Sequence, residues 1–448
     1  MKPARRCSAL AQRLWGSSSS SSTSARSCHL GGVGSSHVPL KPARAAARET
    51  GVPMGSGSSR LLRTLAQPDL SPDEAPEPEG PRLDPEQLLR ECERVLQQRP
   101  PRPHRDMVHL CGPSAQHNSP PVRIMQWNIL AQALGEGKDG FIRCPLEALR
   151  WQERKYLILE EILTYKPDIL CLQEVDHYYD TLGPIMSGLG YQGSFLAKPW
   201  SPCLDVEKNN GPDGCALFFR SSRFSLRSTA HLRLSAMMLP TNQVAIVQRL
   251  QCRATGRGLC VAVTHLKARP GWERLRSAQG ADLLHSLQSV VSSPDSQLPL
   301  VVCGDFNAEP TEEVYRRFSC SPLGLDSAYK LLSEDGHTEP SYTTWKIRPS
   351  GESCSTLDYI WYSRDSLSVH SLLDIPSEEQ IGPDRLPSYH YPRTTCPCCV
   401  TSASLTAPSG RSAGHVTERT VYRVNHKGHE TLQSALKVHN YVRLIFFF

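Results

Sequence analysis

Short apolar runs that end in a polar residue recur along the chain. VRIMQWN ends at Asn128, ILCLQE at Glu174, VAVTH at His265 and LVVCGD at Asp305, while Asp358 opens DYIWY. Apolar, β-branched runs of this length, bounded by turn residues, are typical of buried strands. The pattern therefore predicts strands that bring polar side chains to one edge of the fold.

Helical spacing of apolar positions appears between only some of these runs, most clearly over residues 145–165. A purely parallel sheet would need a crossover element between every pair of strands. The sequence therefore predicts a layered α/β fold with mixed sheets.

The chain divides by composition into five segments. Residues 84–121 are expected to hold a docking helix, with Asp84 as N-cap and Pro85 as first helical residue, followed by a linker. Residues 122–392 are expected to be the catalytic domain. The other three segments are a leader over 1–53, a linker with a candidate internal start over 54–83, and a tail over 393–448.

The leader is rich in Arg, Ser and Ala and has eight Lys or Arg before its first acid, Glu49. This composition predicts a mitochondrial transit peptide, with a Ser-rich low-complexity leader as the alternative. MGSGSS from Met54 fits N-myristoylation of Gly55 after an internal start, or else a flexible linker. We expect mitochondrial and cytoplasmic forms, with the nucleus as a further candidate. One acyl chain would give partial membrane association, and no apolar run is long enough to span a bilayer.

The polar strand ends predict a phosphate-ester cleft. Asn128, Glu174, His265, Asp305, Asn307 and Asp358 supply carboxylate and amide groups without Cys–His spacing, a donor set that selects a hard cation. Asp305 is placed to orient or deprotonate a water, and Asn307 to donate to a phosphoryl oxygen. We predict Mg²⁺ at Glu174 and hydrolysis by a positioned water.

Five motifs, in this order, carry a family resemblance: WNIL, LQEVD, THLKA, GDFNAEP and LDYIWY. They resemble the endonuclease/exonuclease/phosphatase superfamily, and QWNILAQALGEGKD and KPWSPCLDVEKNNGPDGCALFF resemble its deadenylase-like branch. The resemblance implies two packed mixed β-sheets flanked by helices. It also implies that Glu174 holds Mg²⁺ and Asn128 and Asn307 contact phosphate or metal. Asp305 would position the attacking water and His265 would stabilise phosphoryl charge.

The longer motifs resemble a group within that branch that is read as removing the 2′-phosphate of NADP⁺ and NADPH. Four cations suit one phosphorylated dinucleotide: Lys198, Lys267, Arg269 and Arg348. A long RNA would call for a basic stripe with interleaved aromatics, which the sequence lacks, so RNA is the weaker candidate. A poly(A)-specific 3′-exonuclease and a non-catalytic binding protein remain the alternatives. A monomer is expected.

The chain departs from this family after SYHYP. The family's last strand follows Ser-Asp-His, whose His pairs with the Asp of LDY, here Asp358. Thr394 and Thr395 stand where Asp and His are expected. Loss of one nucleotide from codons for Ser-Asp-His-Leu-Ser-Leu-Leu-Cys yields Arg-Thr-Thr-Cys-Pro-Cys-Cys-Val, the sequence that begins at Arg393. We therefore predict a reading-frame shift at Pro392, a non-native tail over 393–448 without the last strand, and an inactive chain. A zinc site at Cys396, Cys398 and Cys399 is the functional alternative.

Overall fold

Two mixed β-sheets face each other in the computed structural model, which describes residues 82–110, 121–292, 298–392, 398–403 and 422–423. The first sheet has the strand order β16-β1-β14-β15-β2-β3-β5-β4 and the second the order β10-β13-β9-β8-β7-β6. The pairs β2/β3 and β8/β9 are parallel and the other pairs are antiparallel. The predicted α/β fold of two mixed sheets flanked by helices is confirmed.

The strands occupy these bounds: β1 Met107–His109, β2 Val122–Asn128, β3 Ile169–Val175, β4 Tyr191–Ala197, β5 Gly214–Arg220, β6 Phe224–Ala236, β7 Leu239–Cys252, β8 Gly258–His265, β9 Leu300–Asp305, β10 Leu325–Ser327, β11 Thr344–Arg348, β12 Gly351–Ser355, β13 Asp358–Ser363, β14 Ser368–Leu373, β15 Cys398–Ala403 and β16 Tyr422–Arg423. Strands β11 and β12 form a separate two-stranded ribbon.

The helices are α1 Pro85–Leu96, α2 Leu146–Leu149, α3 Trp151–Tyr165, α4 Gly183–Gly188, α5 Glu273–Val291, α6 Glu313–Ser319 and α7 Glu378–Ile381, with short π and 3₁₀ turns at Leu134–Lys138, Tyr178–Leu182, Pro202–Asp205 and Ala328–Leu332. In the described ranges, none of the helices is long and apolar enough to cross a bilayer.

The main core lies between the sheets, where alternate residues of facing strands meet. Ile124, Cys171, Val263, Cys303 and Ile360 are among the side chains that fill it. The opposite faces are covered by helices. Helix α3 packs on the first sheet, and α5 and α6 pack on the second. Because the inner faces are apolar along most of their length, polar side chains gather only where the strands end.

Helix α1 packs on α3. The side chain of Asp84 accepts a hydrogen bond from the Glu86 backbone N–H at 3.0 Å, and Pro85 occupies the first turn. Leu88, Cys92 and Leu96 are buried in a cluster with Leu159 and other residues of α3. The predicted docking helix thus buries its apolar stripe on the domain.

The prediction that the last strand is absent is wrong. Residues 398–403 form β15, which lies between β14 and β2 and pairs antiparallel with both. Cys398 pairs with Gln126 and Val400 with Ile124, and both side chains point into the core between the sheets. A small or β-branched apolar residue at every second position is enough to fill this place. Residues 393–397, with Thr394 and Thr395, and the proposed zinc ligand Cys396 lie outside the described residues.

Candidate functional site

Strand pairing brings the predicted residues to one edge of the two sheets. Asn128, His265 and Asp305 end β2, β8 and β9, and His265 lies opposite Asp305 in the parallel pair. Asp358 opens β13 directly opposite Asp305 in the antiparallel pair. We call this edge, with Glu174 and Asn307, the cleft.

Glu174 reaches the cleft through an irregularity in β3. The register between β3 and β5 shifts between Leu172 and Val175, and Glu174 has a φ of 54°. A bulge of this kind redirects a side chain and interrupts the usual alternation. In a regular strand Leu172 and Val175 would face opposite sides, because they are three positions apart. The extra residue lets both pack on the covered side and turns Glu174 into the cleft.

One amide links the two central carboxylates. The Nδ2 of Asn128 donates to Glu174 Oε1 at 2.8 Å and to Asp305 Oδ2 at 2.9 Å. Its Oδ1 accepts from the Leu130 backbone N–H at 3.0 Å, which fixes the orientation of the amide. Asn128 therefore holds Glu174 and Asp305 next to each other without neutralising their charge.

Burial raises the pKa of both carboxyls. The pKa of Glu174 rises to about 7, because desolvation outweighs the attraction of the Lys198 ammonium. Desolvation also raises the pKa of Asp305, against the hydrogen bonds from Asn128 and from the Asn307 backbone. A bound cation would favour the ionised form of both carboxyls, the buried Asp305 and the half-buried Glu174.

The donor set fits Mg²⁺. Within the part of the chain that is described, no group of three or more His, Cys, Asp or Glu side chains is placed to hold a metal ion. Mg²⁺ needs fewer, since it is commonly bound by one or two carboxylates together with water and phosphate oxygens. Glu174 and Asp305 supply these two carboxylates, so the residues present fit the ion.

His265 contacts Asn307 and Lys198 in this site. Its Nε2 lies 2.9 Å from Asn307 Nδ2, and its Nδ1 lies 3.5 Å from Lys198 Nζ. Asn307 Nδ2 also donates to the Leu266 carbonyl at 3.1 Å, which orients its amide. Burial, followed by the charges of Lys198, Lys267 and Lys346, lowers the pKa of His265 well below its usual value.

Asp358, whose partner in the family is the missing His, has other hydrogen-bond partners in this chain. Its Oδ1 accepts from Gln126 Nε2 and its Oδ2 from Thr343 Oγ1, both at 2.9 Å. Its backbone N–H donates to the same Thr343 hydroxyl at 3.1 Å. The predicted loss of the terminal His thus leaves a carboxylate that neutral donors hold in place.

The four predicted cations differ in their environment. Lys198 is buried and donates to Asp213 Oδ2 at 2.5 Å. Lys267 lies 5.5 Å from the centre of the Trp272 ring. Arg348 donates to Asp139 Oδ2 at 2.7 Å. Arg269 is exposed on the loop after Lys267. Lys198 therefore lies against His265, and Arg269 is the most exposed of the four.

Lys346 is a further cation of the cleft that was not predicted from the sequence. Its ammonium is largely desolvated, which lowers its pKa together with the charge of Arg348, while Asp305, Asp139 and Glu174 oppose the shift. Lys346 thus lies within electrostatic reach of both central carboxylates. It is two residues before Arg348 on β11, so the strand period would have placed both on one face.

Two further residues, Asp213 and Arg276, were not among the predicted site residues, and they hold the predicted cations in place. Asp213 is fully buried and accepts from Lys198 and from the Ser201 hydroxyl. Arg276 makes a bidentate contact with Glu312, at 2.8 and 2.9 Å, and donates to the Lys267 and Arg269 carbonyls. These contacts fix the position of Lys198 and of the loop that carries Lys267 and Arg269. The partners are far apart in sequence, so no local pattern indicates them.

The comparisons with known proteins agree with this geometry. The sequence profile of the Endonuclease/Exonuclease/phosphatase family matches residues 125–390. Nocturnin of Rattus norvegicus is 63% identical over 349 residues, which cover 76% of this chain and 81% of that protein.

Two solved structures share the fold with useful identity. The human Nocturnin catalytic domain with bound sulfate anion matches with a TM-score of 0.57 and 56% identity, over 68% of this chain and 99% of that chain. ANGEL2, described as a 2′,3′-cyclic phosphatase, matches with a TM-score of 0.56 and 26% identity, over 66% of this chain and 97% of that chain. Fold, cleft and relatives together support a hydrolase of phosphate esters. The chain belongs to the endonuclease/exonuclease/phosphatase family, in the deadenylase-like branch that includes Nocturnin.

Proposed function

We propose that this cleft, in a chain with a complete terminal motif, removes the 2′-phosphate of NADP⁺ and NADPH with Mg²⁺. The observation that carries the proposal is the set of cations around the central carboxylates. Lys198 and Lys346 are desolvated within reach of Glu174 and Asp305. The ammonium groups attract a phosphate dianion and the carboxylates attract its metal ion, whereas a neutral ligand would attract neither.

Glu174 and Asp305 are the residues that would hold the metal, which polarises a phosphoryl oxygen when bound. Asp305 is also the group placed to accept a proton from the attacking water, because its Oδ1 is fixed by the Asn307 backbone N–H at 2.9 Å. His265 lies between Lys198 and Asn307 in the cleft, where it would stabilise the charge of the phosphoryl group. Lys198 and Lys346 would bind the phosphate oxygens, and burial strengthens that attraction.

The substrate class is supported by size and by the relatives. Arg348 carries a buried Nε that has no partner among the described residues, although its Nη2 is held by Asp139. The side chain as a whole is half-buried, so the rest of its guanidinium offers a cationic partner to a second anionic group of the same ligand. ANGEL2 has been solved with adenosine-2′,3′-vanadate, a ligand with phosphate-like groups on a ribose. A dinucleotide with a 2′-phosphate supplies both a terminal phosphate and a pyrophosphate.

The terminal Ser-Asp-His motif is relevant because polar atoms on β2 and β3, near the start of β15, lack hydrogen-bond partners among the described residues. Gln126 Oε1 and both amide atoms of Gln173 are buried without a hydrogen-bond partner in the described ranges. Gln126 pairs with Cys398, the first residue of β15, and lies two residues before Asn128 of the cleft. Orphaned buried amides cost free energy and indicate that a polar neighbour belongs here. The family's Ser-Asp-His would supply such groups.

The test compares two chains. One has the printed sequence, and the other continues after Pro392 with Ser-Asp-His-Leu-Ser-Leu-Leu-Cys-Asp-Phe-Ser-Phe. We expect phosphate release from NADPH by the restored chain, with Mg²⁺ and not with EDTA. The printed chain is expected to be about 10²–10⁴-fold slower, since it lacks one acid/base group.

The same assay separates the alternatives. Shortening of poly(A) by the restored chain, with NADPH left intact, would replace the phosphatase proposal with the deadenylase. Tight NADPH binding by both chains without phosphate release would identify a non-catalytic binding protein. A chromatographic separation of NADPH and NADH reports the reaction without relying on phosphate detection.

A further inference from the structure

The long β6/β7 hairpin ends in three exposed apolar side chains. Met237 and Met238 form the two-residue turn, and Leu239 opens β7. Their exposed fractions are 84%, 97% and 68%, the largest of any run of consecutive apolar residues in the described part of the chain. We call these three residues the hairpin tip. Exposed apolar residues that adjoin one another commonly mark a contact site.

The tip side chains do not serve the turn. Met237 and Met238 have φ values of 50° and 62°. Two consecutive left-handed residues define a type I′ turn, for which Asn-Gly is the preferred pair. Methionine is strained in this conformation and its exposed side chain adds no packing. The two side chains therefore carry a folding cost, and a contact outside the fold would offset it.

Cations outnumber acids at the tip end of the hairpin. Arg233 donates to the Thr241 carbonyl beside the tip, and Lys267, Arg269 and Arg274 lie in the loop and first turn that lead into α5. The acids at this end are Asp282, whose carboxylate accepts from the Ser235 backbone, and Glu273. Arg233 is exposed on β6 near the tip, and Arg274 is exposed in the first turn of α5. Trp272, next to that turn, is 47% exposed. An anionic surface would be attracted to this side of the domain.

Two hydrogen bonds place α5 beside the hairpin tip. The Ser235 backbone N–H donates to Asp282 Oδ2 at 2.8 Å, and Gln279 Nε2 donates to Thr241 Oγ1 at 3.1 Å. Both partners of α5 thus lie against residues that flank the turn. The apolar tip, the exposed tryptophan and the arginines belong to one end of the domain.

We propose that the hairpin tip inserts into the surface of an anionic lipid bilayer. Flexible apolar side chains on a protruding turn suit a soft acyl boundary, whereas a folded partner would need a matching pocket. Trp272 has the amphipathic ring that favours the headgroup level, and the arginines suit anionic lipids. RNA would be attracted by the same charge, but it gives no reason for exposed methionines.

The test replaces the two methionines of the turn with residues that keep its backbone conformation. In the full chain, Met237→Asn with Met238→Gly removes both side chains and installs the preferred type I′ pair, so the thermal midpoint should stay equal or rise. Leu146→Asn is the matched control, because Leu146 is 73% exposed in α2 and distant in sequence from the tip. Co-sedimentation is measured with phosphatidylcholine vesicles, with and without phosphatidylserine.

We expect the unmodified chain and Leu146→Asn to bind the phosphatidylserine vesicles, less so as salt increases. The turn variant should bind at least about tenfold more weakly, since two apolar side chains no longer leave water. Both chains carry the same leader, so any membrane affinity of residues 1–81 cancels in this difference.

Equal vesicle binding by the turn variant and the unmodified chain would overturn the proposal, as would the absence of binding by either. A concentration-dependent dimer that the turn variant abolishes, seen by sedimentation without lipid, would assign the tip to a second copy of the chain. Poly(A) affinity that falls with the turn substitutions would assign it to RNA.

Discussion

Asp213 and the pair Glu174/Asp305 belong to the same domain but differ in the groups that hold their carboxylates. Asp213 is fully buried and paired with the ammonium of Lys198 and the hydroxyl of Ser201. Asp305 is buried and Glu174 is half-buried, and the two share one neutral amide. The fold completes the first arrangement from its own residues. In the second, no cation among the described residues donates a hydrogen bond to either carboxylate, although Lys198 and Lys346 lie within electrostatic reach. A metal ion can therefore bind the carboxylates and a phosphate the lysines.

The largest effect is expected for Asp305, one of the two carboxylates that share the Asn128 amide, and it concerns the rate of phosphate release. Asp305→Asn in the restored chain keeps size and one acceptor but cannot accept a proton from water. We expect the rate of phosphate release to fall by about 10²–10⁴-fold. Single-turnover kinetics separate this loss from weaker binding. Glu309→Gln is the control, because Glu309 lies on the same loop but contacts Ser355 instead. A rate within a few-fold of the parent would remove Asp305 from the catalytic role.

Breaking the paired arrangement should affect stability instead. Asp213→Ala leaves the Lys198 ammonium buried without its partner, and we expect a loss of about 3–5 kcal/mol in the free energy of unfolding. Urea denaturation measures it. The double variant with Lys198→Met should recover most of the loss, because an apolar pair carries no buried charge. If the double variant is as unstable as the single one, the ion pair is not the cause.

The missed cation provides a smaller test. Lys346→Met removes one of the desolvated charges that face the carboxylates, and we expect the KM for NADPH to rise about tenfold in the restored chain. Lys208→Met, at an exposed lysine, is the control. A change confined to kcat would place Lys346 in proton or charge transfer rather than in substrate binding.

The smallest effect concerns pH. The folded pKa of Glu174 is raised to about 7 from an ordinary 4.5, so its contribution to stability is complete below the ordinary value and is lost as pH rises through about 7. Without Mg²⁺, Glu174→Gln should therefore melt a few degrees higher than the parent above pH 7. Near the ordinary carboxyl pKa the two should melt alike.

Addition of Mg²⁺ sharpens the same measurement. The ion binds the ionised carboxylate, so the parent should gain thermal stability on adding Mg²⁺ above pH 7, and the Gln variant should gain little. Equal gains in both proteins would exclude Glu174 as a ligand. Calorimetric scans at several pH values provide both comparisons from one set of samples.

The sequence by itself determined the strands and the polar residue that ends each of them. An apolar run followed by Asp, Asn, Glu or His is a local pattern, and burial of the run forces its end to the edge of the sheet. Asn128, His265 and Asp305 were predicted in this way, and the structure brings them together. The family resemblance rests on the same local motifs.

Only the tertiary structure decided how the charges are balanced. The bulge that turns Glu174 inward depends on pairing with β5, Asp213 meets Lys198 across a loop, and the β11 ribbon brings in Lys346. Strand β15 shows the same division. Residues 398–403 complete the sheet with Cys398 and Val400 in the core between the sheets, because a strand requires only periodicity and volume. Catalysis requires particular atoms at particular places, which periodicity and volume do not supply.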